Sequence, residues 1–201
     1  MRRPFGLWVG VVVTAVLVAG CAGTKVTRVD PEEIIDLSGY WNDSDSRMVS
    51  DEMIGDVLNA VWYTNFMSGN SEKPTVIVGT VRNKSSEHIA VEVFIADIER
   101  AFVNSGKVRV VATAEEREEI RDERVDQGKY ATNDSIKKFG REHGADYMLI
   151  GTVTSILDRD GGEEVRFYQV DMTLVDIETN EKAWIGQHEI KKYISRSPYS
   201  S

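Results

Sequence analysis

The hydrophobic period of this chain changes near Ala145, and that change limits the folds open to it more than any single residue does. Before it, Val49, Met53, Val57 and Val61 stand four apart, with Ile54, Leu58 and Trp62 beside them. Such a stripe predicts a helix with one buried side, running to about Met67. After it, ADYMLIGTVTSIL at 145–157 reads as a long buried strand. VRFYQVDMTLVDI alternates through Val165 and Phe167, and again through Val170, Met172 and Leu174, and AWIGQHEIKKYI reads as a last strand. DRDGGE and ETNEK between them are turn sequences, so the three strands form an antiparallel meander.

The middle of the chain mixes the two periods. PTVIVGTVRN at 74–83 is rich in β-branched residues and reads as a strand. The following run places Ile89, Val93, Ala96, Ile98 and Phe102 on one side of a helix that stops at Asn104-Ser105-Gly106. KVRVVAT at 107–113 predicts a second strand. AEEREEIRDERVDQGKY then carries both opposite pairs, such as Glu118 with Arg121, and like pairs, such as Arg117 with Arg121. It reads as a solvated, partly frayed helix, and a role for residues 115–126 in binding stays open. A short helix is expected from Asn133 to His143, with Gly144 as its stop. The predicted order is helix-β-α-β-α-α-β-β-β. This is a single-domain α/β sandwich whose mixed, mostly antiparallel sheet of about five strands carries helices packed on it.

The N-terminal residues stand apart from that pattern. Arg2 and Arg3 precede a mostly apolar run from Phe5 to Gly20, which ends at Cys21, the one cysteine among 201 residues. The run is short for a membrane-spanning helix, which needs about 20 residues, and suits a cleaved secretory signal. Leu17-Val18-Ala19-Gly20-Cys21 looks like a bacterial lipobox, with Cys21 as the lipidated first residue of the mature chain. Ala22 and Gly23 follow it rather than aspartate, which favours sorting to the outer membrane, on its periplasmic face. The expected division is a signal peptide at 1–20, a lipidated end and flexible tether at 21–35, a globular part at 36–195 and a tail at 196–201. The polar residues from 22 to 35 reach at most about 50 Å when extended.

Charge and chemistry narrow the function. Without residues 1–20 the chain has 22 basic and 33 acidic residues, a net charge of −11, which disfavours nucleic acid as a partner. His88, His143 and His188 have no second ligand at zinc spacing, and Asp43, Asp45 and Asp51 lack the closing glutamate of a calcium loop. Those acids suit a helix N-terminus instead. No GxSxG elbow or phosphate loop occurs, and Gly161-Gly162 belongs to a turn. No catalytic, metal or cofactor residue is therefore expected, and no small-molecule substrate. A pair of acids hidden among the 33 is the form an enzyme acting on peptidoglycan would take.

One stretch, DLSGYWNDSDSR from Asp36 to Arg47, combines turn formers, two aromatics and acids. It reads as the boundary where the tether meets the fold: Ser38-Gly39 turns the chain, Tyr40 and Trp41 pin it, and Asn42 to Ser46 offer helix caps.

Several segments taken together resemble the LpoB family: the lipobox at Cys21, DLSGYWND at 36–43, SRMVSDEMI at 46–54, FVNSGKVRVV at 102–111, GADYMLIGTV at 144–153 and VDIETNEKAWIGQ at 175–187. Similar segments occur in TolB N-terminal-like and CsgG-like periplasmic domains, so the resemblance implies that fold. It also implies a non-catalytic lipoprotein that binds and activates a bifunctional penicillin-binding protein, a peptidoglycan synthase. No docking residues carry over from it. The best-characterised activators have a long disordered tether, where this chain has about fourteen residues. An assembly lipoprotein of a secretion or trans-envelope machine is the alternative the same fold allows.

Overall fold

The structure is a computed structural model that describes residues 26–130 and 144–195. The described residues fall into two units, divided between Glu33 and Ile34. In the first, the Asp30 carboxylate accepts the Glu32 amide at 2.9 Å, a local turn around Pro31. The second holds α1 (Asp43–Asn59), α2 (Val61–Gly69), β1 (Thr75–Asn83), α3 (Val91–Ser105), β2 (Arg109–Val110), α4 (Ala114–Tyr130), β3 (Tyr147–Asp160), β4 (Glu163–Asp176) and β5 (Lys182–Ser195).

The five strands form one sheet in the order β2-β1-β3-β4-β5. β1 runs parallel to both β2 and β3, while β3, β4 and β5 are antiparallel, so the sheet is mixed as expected. β3 and β4 pair without a slip from Tyr147↔Asp176 to Asp160↔Glu163, leaving Gly161 and Gly162 as the whole turn. Gly161 takes φ +56°, in the left-handed region where glycine has no Cβ to clash. The Asp176 carboxylate shapes the β4–β5 turn by accepting the amides of Glu178 and Thr179 at 2.9 and 2.8 Å.

α1 and α3 pack on one face of this sheet, and the core lies between: Val49, Met53 and Val57 from α1, Phe94, Ile98 and Phe102 from α3, and Val76, Leu149, Val170, Met172 and Leu174 from the strands. α1 follows β5, with Asp45 in its first turn bonded to Lys192 and Asp56 near its end accepting the Trp184 indole N–H at 3.2 Å. Lengths decide how far that cover extends. A 14-residue strand spans about 46 Å, whereas the 17 residues of α1 span about 25 Å. The far end of the three-stranded ribbon therefore projects beyond the helices.

Four sequence expectations change here. The helix predicted through Met67 breaks at Ala60, whose backbone is extended, and Val61 turns outward at 70% exposure. The break accompanies the burial of Trp62, which packs edge-to-face on Tyr147 of β3 and donates its indole N–H to the Val57 carbonyl at 2.6 Å, beside the Ala60 amide at 3.4 Å. α3 begins at Val91, so Phe94 faces the core and Val93 is exposed, while Ile89 is buried ahead of the helix. The predicted strand at 107–113 shortens to Arg109–Val110. β3 is buried at Tyr147, Leu149 and Val153 but exposed from Ile156 to Asp160, where it outruns the helices. The helix expected at 133–143 lies outside the described residues. Among those residues, no helix is long and apolar enough to cross a membrane.

Candidate functional site

At the projecting end of the ribbon the inner face of β4 carries Glu164, Arg166 and Tyr168 in place of apolar residues. Arg166 stands directly opposite Lys192 on β5. Two cations side by side on one face repel each other, so this end of the sheet needs acids to fold. Three segments supply them.

The first is β4 itself and its neighbour. Glu164 accepts a hydrogen bond from the Arg166 Nε and another, at 2.8 Å, from the Arg159 Nε on β3. The second is the β1–α3 loop. Asn83 binds that loop to itself, donating through Nδ2 to the Glu87 carbonyl at 2.7 Å and accepting the Ser85 amide at 2.9 Å. Glu87 is thereby aimed inward, where it accepts from the Arg166 Nη1 at 2.6 Å and from the Tyr168 hydroxyl at 2.8 and 2.9 Å.

The third is the stretch from Asp36 to Asp45, which crosses the ribbon end as a strap. Lys192 Nζ donates to Asp36 and pairs with Asp45, each at 2.7 Å, and reaches the Tyr40 carbonyl at 3.2 Å. Tyr40 lies over the Arg166 guanidinium, and Trp41 meets Tyr168 edge-to-face with centroids 5.4 Å apart. The Trp41 indole donates to Ser46 at 2.8 Å. Asn42 caps α1 and Asp45 returns a bond to the Asn42 amide, a reciprocal pair that fixes where the strap becomes helix. Gly39 makes the approach possible: at φ +72°, a Cβ there would sit 2.4 Å from the Ile194 side chain.

Charge states follow from these contacts. Burial opposes the charge of Arg166, yet its bonds to Tyr40, Glu164 and Tyr168 and the negative Glu87 hold it above its ordinary value. Burial likewise works against Glu164, but Arg159 and Arg166 outweigh it and keep the carboxyl low. Lys192 is raised because Asp36 and Asp45 overcome its burial. Burial pushes the Tyr168 phenol up, and its bond to Glu87 pushes the same way. Each group is thus locked in its neutral-pH state. Acid–base catalysis by two carboxyls needs one proton held and one released near neutrality, and here the cations stabilise the ionised form. The cluster organises the strap.

The other sequence candidates lie apart from it. Cys21 and His143 fall outside the described residues. His88 is exposed in the β1–α3 loop, and His188 stands on β5 opposite Val170. Asp45 joins the cap and the ion pair, while Asp43 and Asp51 are exposed on α1. Among the described residues, no group of three or more His, Cys, Asp or Glu is placed to hold a metal ion. Glu87, Glu164, Arg166 and Lys192 were not singled out by the sequence. A signal for two of them exists in β4: its two apolar alternations are out of phase, and an unslipped strand that buries Val170 and Met172 must also turn Glu164 and Arg166 inward.

Known proteins give the following likenesses. The family model described as peptidoglycan-synthase activator LpoB matches residues 45–190. No curated protein matches the chain. Among solved structures, lipoprotein GNA1162 from Neisseria meningitidis is 19% identical over 63% of this chain and 88% of its own, with a TM-score of 0.39. The LpoB C-terminal domain from Escherichia coli is 16% identical over 68% of this chain and 99% of its own, with a TM-score of 0.38. The PelC dodecamer from Paraburkholderia phytofirmans is 14% identical over 64% and 75%, with a TM-score of 0.32. Because the family model spans α1 through most of β5, well over half of the 201 residues, this chain belongs to the LpoB family of peptidoglycan-synthase activators.

Proposed function

We propose that this chain is anchored by lipid on Cys21 to the periplasmic face of the outer membrane, where its globular part, residues 36–195, binds and activates a bifunctional penicillin-binding protein. The observation that carries this reading is the family match from the first turn of α1 into β5, which takes in each helix and strand wholly or for most of its length. A regulator of this kind has no bond to break. It shifts the synthase toward its active conformation by binding that conformation more tightly than the resting one. The buried ion pairs of Arg166 with Glu87 and Glu164 serve such a role by holding the strap and the ribbon end in one shape.

The test is the glycan-polymerising rate of a purified bifunctional synthase with and without residues 36–195. A several-fold rise that saturates with added domain is expected, and an unchanged rate at saturation overturns the reading. For the anchor, Cys21→Ser is expected to move the protein from the membrane fraction to the soluble periplasmic fraction.

A further inference from the structure

β2 is an edge of the sheet, and its outer side opens into a groove of about 450 Å³ between α3 and α4. The floor is apolar: Val103 from α3, Val110 and Val111, and Ile120 from α4. The rim is acidic, with Glu99 on α3 and Glu116 and Glu119 on α4. No lysine or arginine among the described residues lines it. The backbone adds a third feature. Arg109 and Val111 donate their amides to Pro74 and Val76 of the β1 side, at 2.9 and 3.1 Å. Strand geometry turns the residue between them the other way, so the Val110 N–H and C=O both face the groove.

We propose that this groove is a docking slot for an extended, lysine- or arginine-bearing segment of a partner protein, which pairs with the outward Val110 backbone and sets its cations against Glu99, Glu116 and Glu119. An added strand presents alternate side chains to the two sides. Apolar residues of the segment meet Val103 and Ile120, and its basic residues meet the rim. The carboxylates favour that occupant over an acidic or purely apolar one. Burial and then the charge of Glu116 raise the Glu99 carboxyl above its ordinary value, a cost of the empty slot that a cation removes. β2 is two residues long, which limits self-pairing of the edge while leaving one rung for a matching segment. The inference concerns a second surface and does not depend on the synthase reading.

The experiment uses the full-length chain in detergent micelles and three end-blocked peptides. These are an alternating Lys-Val octamer, the Glu-Val octamer, and the Lys-Val octamer with alternate amides N-methylated. Binding is read by fluorescence anisotropy, and protection of the Val110 amide by hydrogen exchange. The Lys-Val peptide is expected to bind, with binding falling as salt rises, and to slow exchange at Val110 at least about tenfold. The N-methylated and Glu-Val peptides are expected to fail. The variant E99Q/E116Q/E119Q is expected to weaken binding about tenfold, the product of three modest charge contacts. E118Q/D122N, on the other side of α4, is expected to leave it within about twofold. Equal loss in both variants, or equal binding of the N-methylated peptide, overturns the proposal, because either shows only nonspecific attraction to an acidic protein. Binding without protection of Val110 overturns it as well.

Discussion

The ring centroid of Tyr40 lies 3.5 Å from the guanidinium carbon of Arg166, so a residue in the middle of the strap covers the charge at the centre of the buried cluster. A cation over an aromatic face gains about 0.5–2 kcal/mol, depending on how far it is desolvated, and Arg166 is only 2% exposed. Tyr40→Leu keeps most of the apolar area and removes the π face. It is expected to lower stability by about 1 kcal/mol, read as a shift of the urea midpoint with the slope unchanged.

Removing the cation itself acts more strongly. Arg166→Met leaves Glu87 and Glu164 without the guanidinium that both of them bind. Breaking a buried pair from one side costs about 3–5 kcal/mol, whereas replacing all partners by apolar groups can be nearly neutral. The variant is therefore expected to lose about 3 kcal/mol, and adding Glu87→Gln to recover part of that loss. If the double variant is as unstable as the sum of the two single ones, Arg166 and Glu87 are not coupled.

Much of this architecture is legible in the sequence, and its limits have physical causes. The meander could be read because Val170, Met172 and Leu174 alternate and Gly161-Gly162 closes a two-residue turn. The break at Ala60 could not: no glycine or proline marks it, and it accompanies the indole of Trp62 reaching back to Val57. The stretch from Asp36 to Arg47 was readable as a boundary, since its turn formers and caps are local signals. That it also closes an ion cluster depends on Glu87 and Lys192, 46 and 151 residues away from Trp41 in the chain, at positions that periodicity treats as ordinary surface.

Gly39 has two constraints that can be separated. Its φ of +72° disfavours any side chain, and its missing Cβ makes room for Ile194. Gly39→Ala is expected to cost at least about 1 kcal/mol from the backbone alone and more from the clash. Adding Ile194→Ala opens the space without changing φ, so the double variant is expected to recover only part of the loss. Full recovery would show that crowding, not backbone conformation, requires the glycine.

The cluster also sets how stability varies with pH. Lys192 holds the Asp36 carboxyl low through its hydrogen bond, against an opposing effect of burial. Glu164 is held low by Arg159 and Arg166, again against burial. A carboxyl depressed in the folded state stabilises the fold above its unfolded value, and that stabilisation is lost as pH falls toward the folded value. Stability is therefore expected to decline as pH drops below the ordinary aspartate and glutamate values of 3.8 and 4.5. At the alkaline end the signs reverse. Burial raises Tyr168 above its ordinary 10.0, and Asp36 and Asp45 raise Lys192 above 10.5 in spite of its burial. Both groups keep their protons in the folded chain after the unfolded chain has released them, so stability falls as pH rises beyond about 10. Urea denaturation across pH is expected to give a plateau between these limits. Asp36→Asn removes one depressed carboxyl, so it is expected to flatten the acid limb while lowering the plateau. An acid limb that is as steep in that variant as in the parent would show that the pairing of Asp36 with Lys192 does not shape the pH response.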